Sequence, residues 1–312
     1  MLKVGVVGTG AMGKHHARVY SELDCELVGV ADVDIVKAKD VGMKYGCEYF
    51  GSHRELIKKV DAVSITVPTY LHKQVAVDFF KNGVHCLVEK PIASNLKDSK
   101  EMVKTADENN VKLMVGHIER FNPAVTRLKE IIDEGMLGSI MIISSRRVGP
   151  SVPRIKDIGI IIDSATHDID VTRYLTGKEP IDVYSKFGSF KHEKEDHAIT
   201  VLDFEDTVAS VEVNWFTPTK VRNLVVTGTK GIANLDYISQ DLIIHELNQD
   251  IRPRIKNEEP LMLELKHFLD CIENDKEPLI SGSDGMKTLE IALKASRKNK
   301  STGNYTQVLG SK

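Results

Sequence analysis

The run Gly8-Thr9-Gly10-Ala11-Met12-Gly13 sets the tightest limit on how this chain can fold, because of what stands on either side of it. The apolar segment Val4-Gly5-Val6-Val7 leads in, and helix-forming sequence, Lys14-His15-His16-Ala17-Arg18-Val19-Tyr20, leads out. A second apolar run, Leu27-Val28-Gly29-Val30-Ala31, then ends on Asp32. A glycine triplet alone is common in loops. A strand, a glycine turn, a helix and an acidic residue about 20 positions further on form a βαβ unit with the dinucleotide fingerprint. Gly8 allows the tight turn, Gly10 lets the backbone approach a pyrophosphate, and Gly13 lets the helix close on the sheet. Thr9, Ala11 and Met12 complete a loop whose free N–H groups, at the helix N-terminus, face the phosphates. Asp32 is placed to accept hydrogen bonds from ribose hydroxyls and to repel a 2′-phosphate. The first cation after it, Lys37, falls in sequence that reads as the next helix, so NAD is expected rather than NADP.

The same rhythm continues through the first third of the chain. Strands are expected at residues 3–7, 26–31, 62–67, 85–88 and 112–116, with helices at 13–22, 34–45, 54–59, 72–82 and 96–109. Alternation with short loops predicts an α/β fold built on a Rossmann doubly wound parallel sheet, with ligand-facing residues at the carboxyl ends of its strands. Thr66 and Pro68 stand at one such end and are expected to flank the nicotinamide side of the crevice.

After about residue 120 the pattern changes to apolar–polar alternation, at 140–144, 181–187, 198–204, 208–213 and 221–227. Period two with one wet face marks antiparallel strands, and Gly228-Thr229-Lys230-Gly231 reads as a hairpin turn. Two domains are therefore expected. Residues 1–118 form the dinucleotide-binding domain. Residues 119–312 form an α+β domain for substrate binding and oligomerisation, with a large, mainly antiparallel open sheet. Helices on one side leave its other face to a second subunit, as a homo-dimer or homo-tetramer. Residues 248–259 are polar and charged and read as the most mobile loop.

Composition removes several classes of function. A net charge of −3 gives no reason to expect nucleic acid or an anionic membrane as partner, and no apolar run approaches the roughly 20 residues of a membrane span. Met1-Leu2-Lys3-Val4 enters the first strand at once, which leaves no room for a signal peptide. Cys25, Cys47, Cys86 and Cys271 are scattered and read as reduced thiols of a cytoplasmic protein, with no metal site.

Two further segments carry chemistry. Glu89-Lys90-Pro91 follows the strand-like run His85-Cys86-Leu87-Val88, so Lys90 points into the crevice, where its ammonium can polarise a carbonyl or lower the pKa of an alcohol. Pro91 holds Lys90 extended, and a cis bond between them is one way to aim the side chain. Further on, Asp163 and His167 sit four apart in helical sequence, with Asp170 close to the same stripe. A carboxylate beside an imidazole suits proton removal from an alcohol. The competing reading makes Asp163 a helix N-cap and His167 a surface histidine.

Taken in order, Gly8–Gly13, Glu89-Lys90-Pro91 and Asp163-x-x-x-His167 resemble the glucose–fructose oxidoreductase / inositol dehydrogenase / MocA-type family over essentially the whole chain. The resemblance implies a Rossmann domain followed by an α/β domain whose open sheet builds oligomers. It places Lys90, Asp163 and His167 on the catalytic positions, with Glu89 and Lys90 also at the cofactor. Many members have Gly two residues after the Asp, where this chain has Ala165. The stretch Gly116-His117-Ile118-Glu119-Arg120-Phe121-Asn122-Pro123 is similar to that of members acting on UDP-N-acetyl-hexosamines, especially at the 3-hydroxyl, which makes Arg120 and Asn122 candidate substrate contacts. The Pro- and Gly-shaped basic stretch from Arg146 to Lys156 precedes the Asp163 helix, and Arg146 and Arg154 are candidates for a diphosphate. A solvated basic loop is the bland alternative. Three functions stay open: a UDP-sugar dehydrogenase, an inositol or monosaccharide dehydrogenase, and a non-enzymatic NAD(H) sensor.

Overall fold

A computed structural model describes residues 1–150 and 158–297. Six strands, β1 (Lys3–Val7), β2 (Glu26–Ala31), β3 (Glu48–Phe50), β4 (Ala62–Ile65), β5 (His85–Glu89) and β6 (Leu113–Gly116), form one sheet in the order β3-β2-β1-β4-β5-β6. Every pairing in it is parallel. The order reverses between β1 and β4, so a crevice opens at their carboxyl ends.

Helices α1 (Ala11–Glu22), α2 (Ile35–Tyr45), α3 (His72–Phe80) and α4 (Leu96–Glu108) alternate with these strands. Local chemistry fixes several ends: the Asp34 side chain caps α2 and Asn95 caps α4, while Gly46 ends α2 in the left-handed region. The helix expected at 54–59 is instead a three-residue 3₁₀ turn, His53–Glu55, closed by a Ser52/Glu55 capping box. His53, Arg54 and Glu55 are all polar or charged, so the turn itself has no apolar side chain to bury.

The second sheet has eight strands among the described residues: β7 (Ile140–Pro150), β8 (Asp182–Gly188), β9 (His197–Asp203), β10 (Val208–Asn214), β11 (Phe216–Gly228), β12 (Gly231–Asp236), β13 (Asp241–Glu246) and β14 (Asp250–Ile251). Their order is β14-β13-β12-β11-β7-β10-β9-β8. The β7–β10 pair is parallel and the others are antiparallel, so the sheet is mainly antiparallel as expected. Helices α5 (Pro123–Asp133) and α6 (Thr166–Thr176) cover one face. Period two sorts the side chains: Ala209, Val211 and Val213 of β10 are buried, whereas Ile142, Tyr184, Ile199, Val208 and Ile232 are exposed on the sheet's other side.

The last two helices, α7 (Pro260–Glu273) and α8 (Gly282–Ala295), return to the first sheet. Leu261, Leu265 and Phe268 of α7 belong to the same core as Val4, Tyr20 and Leu87. An isolated bridge between Met114 and Ser281, with Val115 N–H donating to the Ile280 carbonyl, ties this return to the edge strand β6. No helix of the described residues is long and apolar enough to cross a membrane.

Candidate active site

A cavity of about 1510 Å³ lies between the carboxyl ends of the parallel strands and the inner face of the second sheet. On the Rossmann side two of the three glycines of the turn have a steric reason within the chain. Gly8 has φ +91°, and a Cβ there would meet the Thr66 backbone at 2.8 Å. A Cβ on Gly13 would lie 1.8 Å from the Gly8 carbonyl oxygen. Gly10 faces open space at the cavity, with nothing within 4 Å of where a Cβ would stand. That is the cradle a pyrophosphate needs, at the N-terminus of α1.

Asp32 is held in place by its neighbours. The Thr9 N–H and hydroxyl donate to its Oδ2 at 2.6 and 2.9 Å, and the Asp34 N–H donates to Oδ1 at 2.9 Å. The carboxylate still lines the cavity, beside the exposed Val33. Thr66 lines it too, but its hydroxyl donates to the Gly8 carbonyl at 2.7 Å and so braces the glycine turn. Thr9 is buried behind the wall, Ala11 opens α1, and Met12 and Pro68 border the cavity.

The Lys90–Pro91 bond is cis. Lys90 Nζ donates to the main-chain oxygen of Asp163 at 2.6 Å and to its Oδ1 at 3.2 Å. Behind it, Glu89 Oε2 accepts the Lys90 N–H at 3.2 Å, and Oε1 lies 3.0 Å from His16 Nε2. The His16 ring meets the Ser64 hydroxyl at 3.0 Å, which in turn meets the Tyr20 hydroxyl at 2.9 Å. Burial pushes the Glu89 carboxyl up, but the His16 hydrogen bond and the charges of His16 and Lys90 outweigh it and hold the group below its usual range. Glu89 is thus an ionised anchor behind Lys90, as well as a wall of the cavity.

Asp163 lies inside a π-turn, Ile161–Ala165, that runs directly into α6. Such turns occur disproportionately at functional sites. Asp163 is therefore not the helix cap, and its Oδ2 accepts from the Ser164 hydroxyl at 2.9 Å. His167, in the first turn of α6, is half-buried and borders the same cavity, and its buried Nδ1 has no partner among the described residues. Burial, then the charges of Lys90 and Arg147, push its pKa well below 6.5, so the ring is neutral near pH 7. A neutral imidazole and an ammonium beside one cavity are the two groups that proton transfer from an alcohol requires.

The far wall comes from the second sheet. Arg147 of β7 donates from Nε to Asp168 at 2.6 Å and from Nη1 to Glu119 at 2.9 Å, with Tyr237 stacked 5.0 Å from its guanidinium. Arg222, Lys220 and Trp215 complete that wall.

Residues 2–117 match the model of an oxidoreductase family with an NAD-binding Rossmann fold, and residues 125–234 match the GFO/IDH/MocA C-terminal domain. A UDP-N-acetylglucosamine 3-dehydrogenase from Acidithiobacillus ferrooxidans is 30% identical over 94% of this chain and 95% of its own length. Its crystal structure superposes with a TM-score of 0.89 over 95% of this chain and 96% of that one. A scyllo-inositol 2-dehydrogenase from Bacillus subtilis is also 30% identical, over 94% of this chain and 93% of its own. The chain belongs to the GFO/IDH/MocA oxidoreductases. NAD is its cofactor, and the open cradle at Gly10 with the oriented Asp32 fits that molecule. A levoglucosan dehydrogenase complex with NADH shares the fold at a TM-score of 0.86 and 22% identity.

Within this GFO/IDH/MocA frame, several expected substrate contacts lie elsewhere. Arg120 is buried in a bidentate pair with Asp170, at 2.7 Å for both bonds, so neither residue faces the cavity. Asp170 is further bonded by Thr288 of α8, which removes it from the Asp163–His167 stripe. The Asn122 side chain caps α5 and donates to the Tyr237 carbonyl at 3.0 Å. Arg146 points to the other side of the second sheet, where it pairs with Glu212. Arg154 lies outside the described residues. Strand parity explains the Arg146 result. With β7 extended to Pro150, Ile143, Ser145 and Arg147 share the inner face and Arg146 must point outward. Ending the strand at Ser144 hid that signal, and with it Arg147. Arg222 and Lys220 carried no local motif.

Proposed function

We propose that this chain oxidises a secondary hydroxyl of a sugar, with Lys90, Asp163 and His167 as its catalytic residues. The observation that carries the reading is the Lys90–Asp163 contact at the carboxyl end of β5, facing the cavity that His167 also borders. Bound NAD supplies the acceptor for the hydride that leaves the carbinol carbon. His167, kept neutral by burial and neighbouring cations, takes the hydroxyl proton. The Lys90 ammonium lies against the same oxygen and stabilises the negative charge that grows on it. Asp163 fixes the direction of the Lys90 side chain through two acceptors.

For the substrate we favour a UDP-N-acetyl-hexosamine oxidised at its 3-hydroxyl. Likeness to the Acidithiobacillus dehydrogenase over nearly the whole of both chains supports this. So does the cavity of about 1510 Å³, larger than the roughly 300–1,000 Å³ of ordinary ligand pockets and with space for a second large ligand beside the dinucleotide. An inositol-type substrate is the second reading, since the scyllo-inositol dehydrogenase is equally identical. The reading further includes a division into residues 1–118 and 119–312, a cytoplasmic location, and a homo-dimer or homo-tetramer built through the open sheet face. Turnover of UDP-N-acetylglucosamine, N-acetylglucosamine and inositols with NAD⁺, followed by NADH absorbance, tests the substrate. Oxidation of an inositol and not of the UDP-sugar overturns it. A monomeric mass by light scattering at micromolar concentration removes the oligomer.

A further inference from the structure

The cavity wall opposite the cofactor cradle carries more positive charge than its own carboxylates balance. Arg147 is fully engaged, with Asp168 and Glu119 as partners. Lys90 is engaged with Asp163. Arg222 borders the cavity from β11, yet its nearest carboxylate, Glu119, is 4.0 Å away and already bonded to Arg147. Two positions earlier on the same strand, Lys220 borders the cavity too and has no ion pair among the described residues. On this wall Arg147, Lys220 and Arg222 thus face the carboxylates of Glu119 and Asp168, and among the described residues one positive charge is left over.

That excess works against the protein itself. Repulsion by Arg222, then burial, lowers the Lys220 pKa, and burial followed by Arg147 lowers that of Arg222. Like charges held together at a cavity wall destabilise an empty site and favour one filled by an anion. The dinucleotide pyrophosphate does not meet this need, because its cradle is at Gly10 on the other sheet. Arg222 also acts electrostatically on both His167 and Asp163, which puts its charge close to the reacting centre.

We propose that Lys220 and Arg222 form the subsite for an oxyanion of the sugar substrate, a diphosphate or a carboxylate, seated beside the catalytic groups. The proposal rests on the nucleotide-sugar reading and sharpens it. An inositol offers no anion for this wall. The planar guanidinium suits paired oxygens, and the ammonium adds a point charge at the cavity mouth.

The test compares wild type with K220Q/R222Q, K220Q alone and R222K. Each is first loaded with NADH, to verify an intact fold and cofactor site. With NAD⁺, the double variant is expected to raise KM roughly 10- to 100-fold, the loss of one or two charge-assisted hydrogen bonds. R222K is expected to recover part of it. A rise for both UDP-N-acetylglucosamine and its uronic acid assigns the diphosphate, and a rise for the uronic acid alone assigns the carboxylate. In parallel, UDP and glucuronate are titrated calorimetrically into the NADH-loaded proteins. Weaker binding of either anion to the variants supports the subsite. Unchanged KM and unchanged anion binding, including no binding to any of them, overturn it. If the double variant fails to bind NADH, the same comparison is made with K220Q. Failure of wild type to oxidise either UDP-sugar overturns the proposed function instead, and the titrations then decide the subsite alone.

Discussion

Lys90 Nζ bonds both the main-chain oxygen and the carboxylate of Asp163, at 2.6 and 3.2 Å, and this pair joins the end of a parallel strand to a π-turn of the second half. The contact places the ammonium where neither half of the chain alone could. Lys90→Met should lower kcat by about two to four orders of magnitude, the range for a lost acid–base or charge-stabilising group. His167→Asn should do the same and leave NADH affinity unchanged, since that ring belongs to the α6 wall. NADH fluorescence titration with steady-state kinetics checks both. A double variant that retains full turnover removes these residues from the chemistry.

The pH dependence follows from imidazoles that burial disfavours in their charged form. Burial lowers the pKa of His72, His117 and His167 from 6.5, most strongly at His167. If the neutral ring takes the proton as proposed, the acid limb of kcat/KM should lie below pH 6.5. Stability moves in the same direction. As pH falls through 6.5, the unfolded chain binds protons that the folded chain refuses, and stability is lost until the folded pKa values are reached. Each such group contributes a slope of up to about 1.4 kcal/mol per pH unit. Tm measured from pH 7.5 downward should therefore fall, and less steeply in His167→Asn.

Cofactor choice turns on Asp32. Its carboxylate is fixed by two donors from Thr9 and borders the cavity beside the exposed Val33. NAD⁺ should be preferred to NADP⁺, and Asp32→Ser with Val33→Arg should narrow or invert the preference. Thr9→Val should raise KM for NAD⁺ only modestly, since it removes one of the three donors that hold the carboxylate. Equal use of both cofactors by wild type would contradict this role for Asp32.

The first half of the chain is legible because its rules are local. A glycine turn, an acidic strand end and a Lys-Pro at the next crevice strand each state their geometry within a few residues. Asp163 and His167 are legible by spacing, although a π-turn presents Asp163 and the first turn of α6 presents His167. The far wall was hidden because Arg147 and Arg222 come from separate strands that only sheet register sets side by side, and Glu119 reaches them from a turn outside the sheet. Arg120 misled for a related reason. Its partner Asp170 lies on another helix, and nothing local to the Gly116–Pro123 stretch announces a buried pair. The return of α7 to the first core is likewise a long-range event, with no sequence period to predict which sheet it joins.

Arg120 and Arg146 provide a contrast in which similar side chains should fail in different ways. Arg120 is buried, with two bonds to Asp170 and a third to the Leu279 carbonyl. Removing it leaves the buried Asp170 carboxylate with the Thr288 hydroxyl and with Arg173 at 3.7 Å, and the loss of one partner of a buried pair costs about 3–5 kcal/mol. Arg120→Ala should therefore lower Tm sharply, while the fraction that remains folded keeps its KM. Arg146 is half exposed and pairs with Glu212 at 3.1 Å on the outer side of the sheet. Exposed pairs of this kind contribute about 0–1 kcal/mol, so Arg146→Gln should leave both Tm and KM close to wild type. Thermal unfolding and Michaelis kinetics on the two variants separate the outcomes. A steep KM rise in Arg146→Gln with unchanged Tm would return that residue to the substrate site and contradict the outward parity of β7.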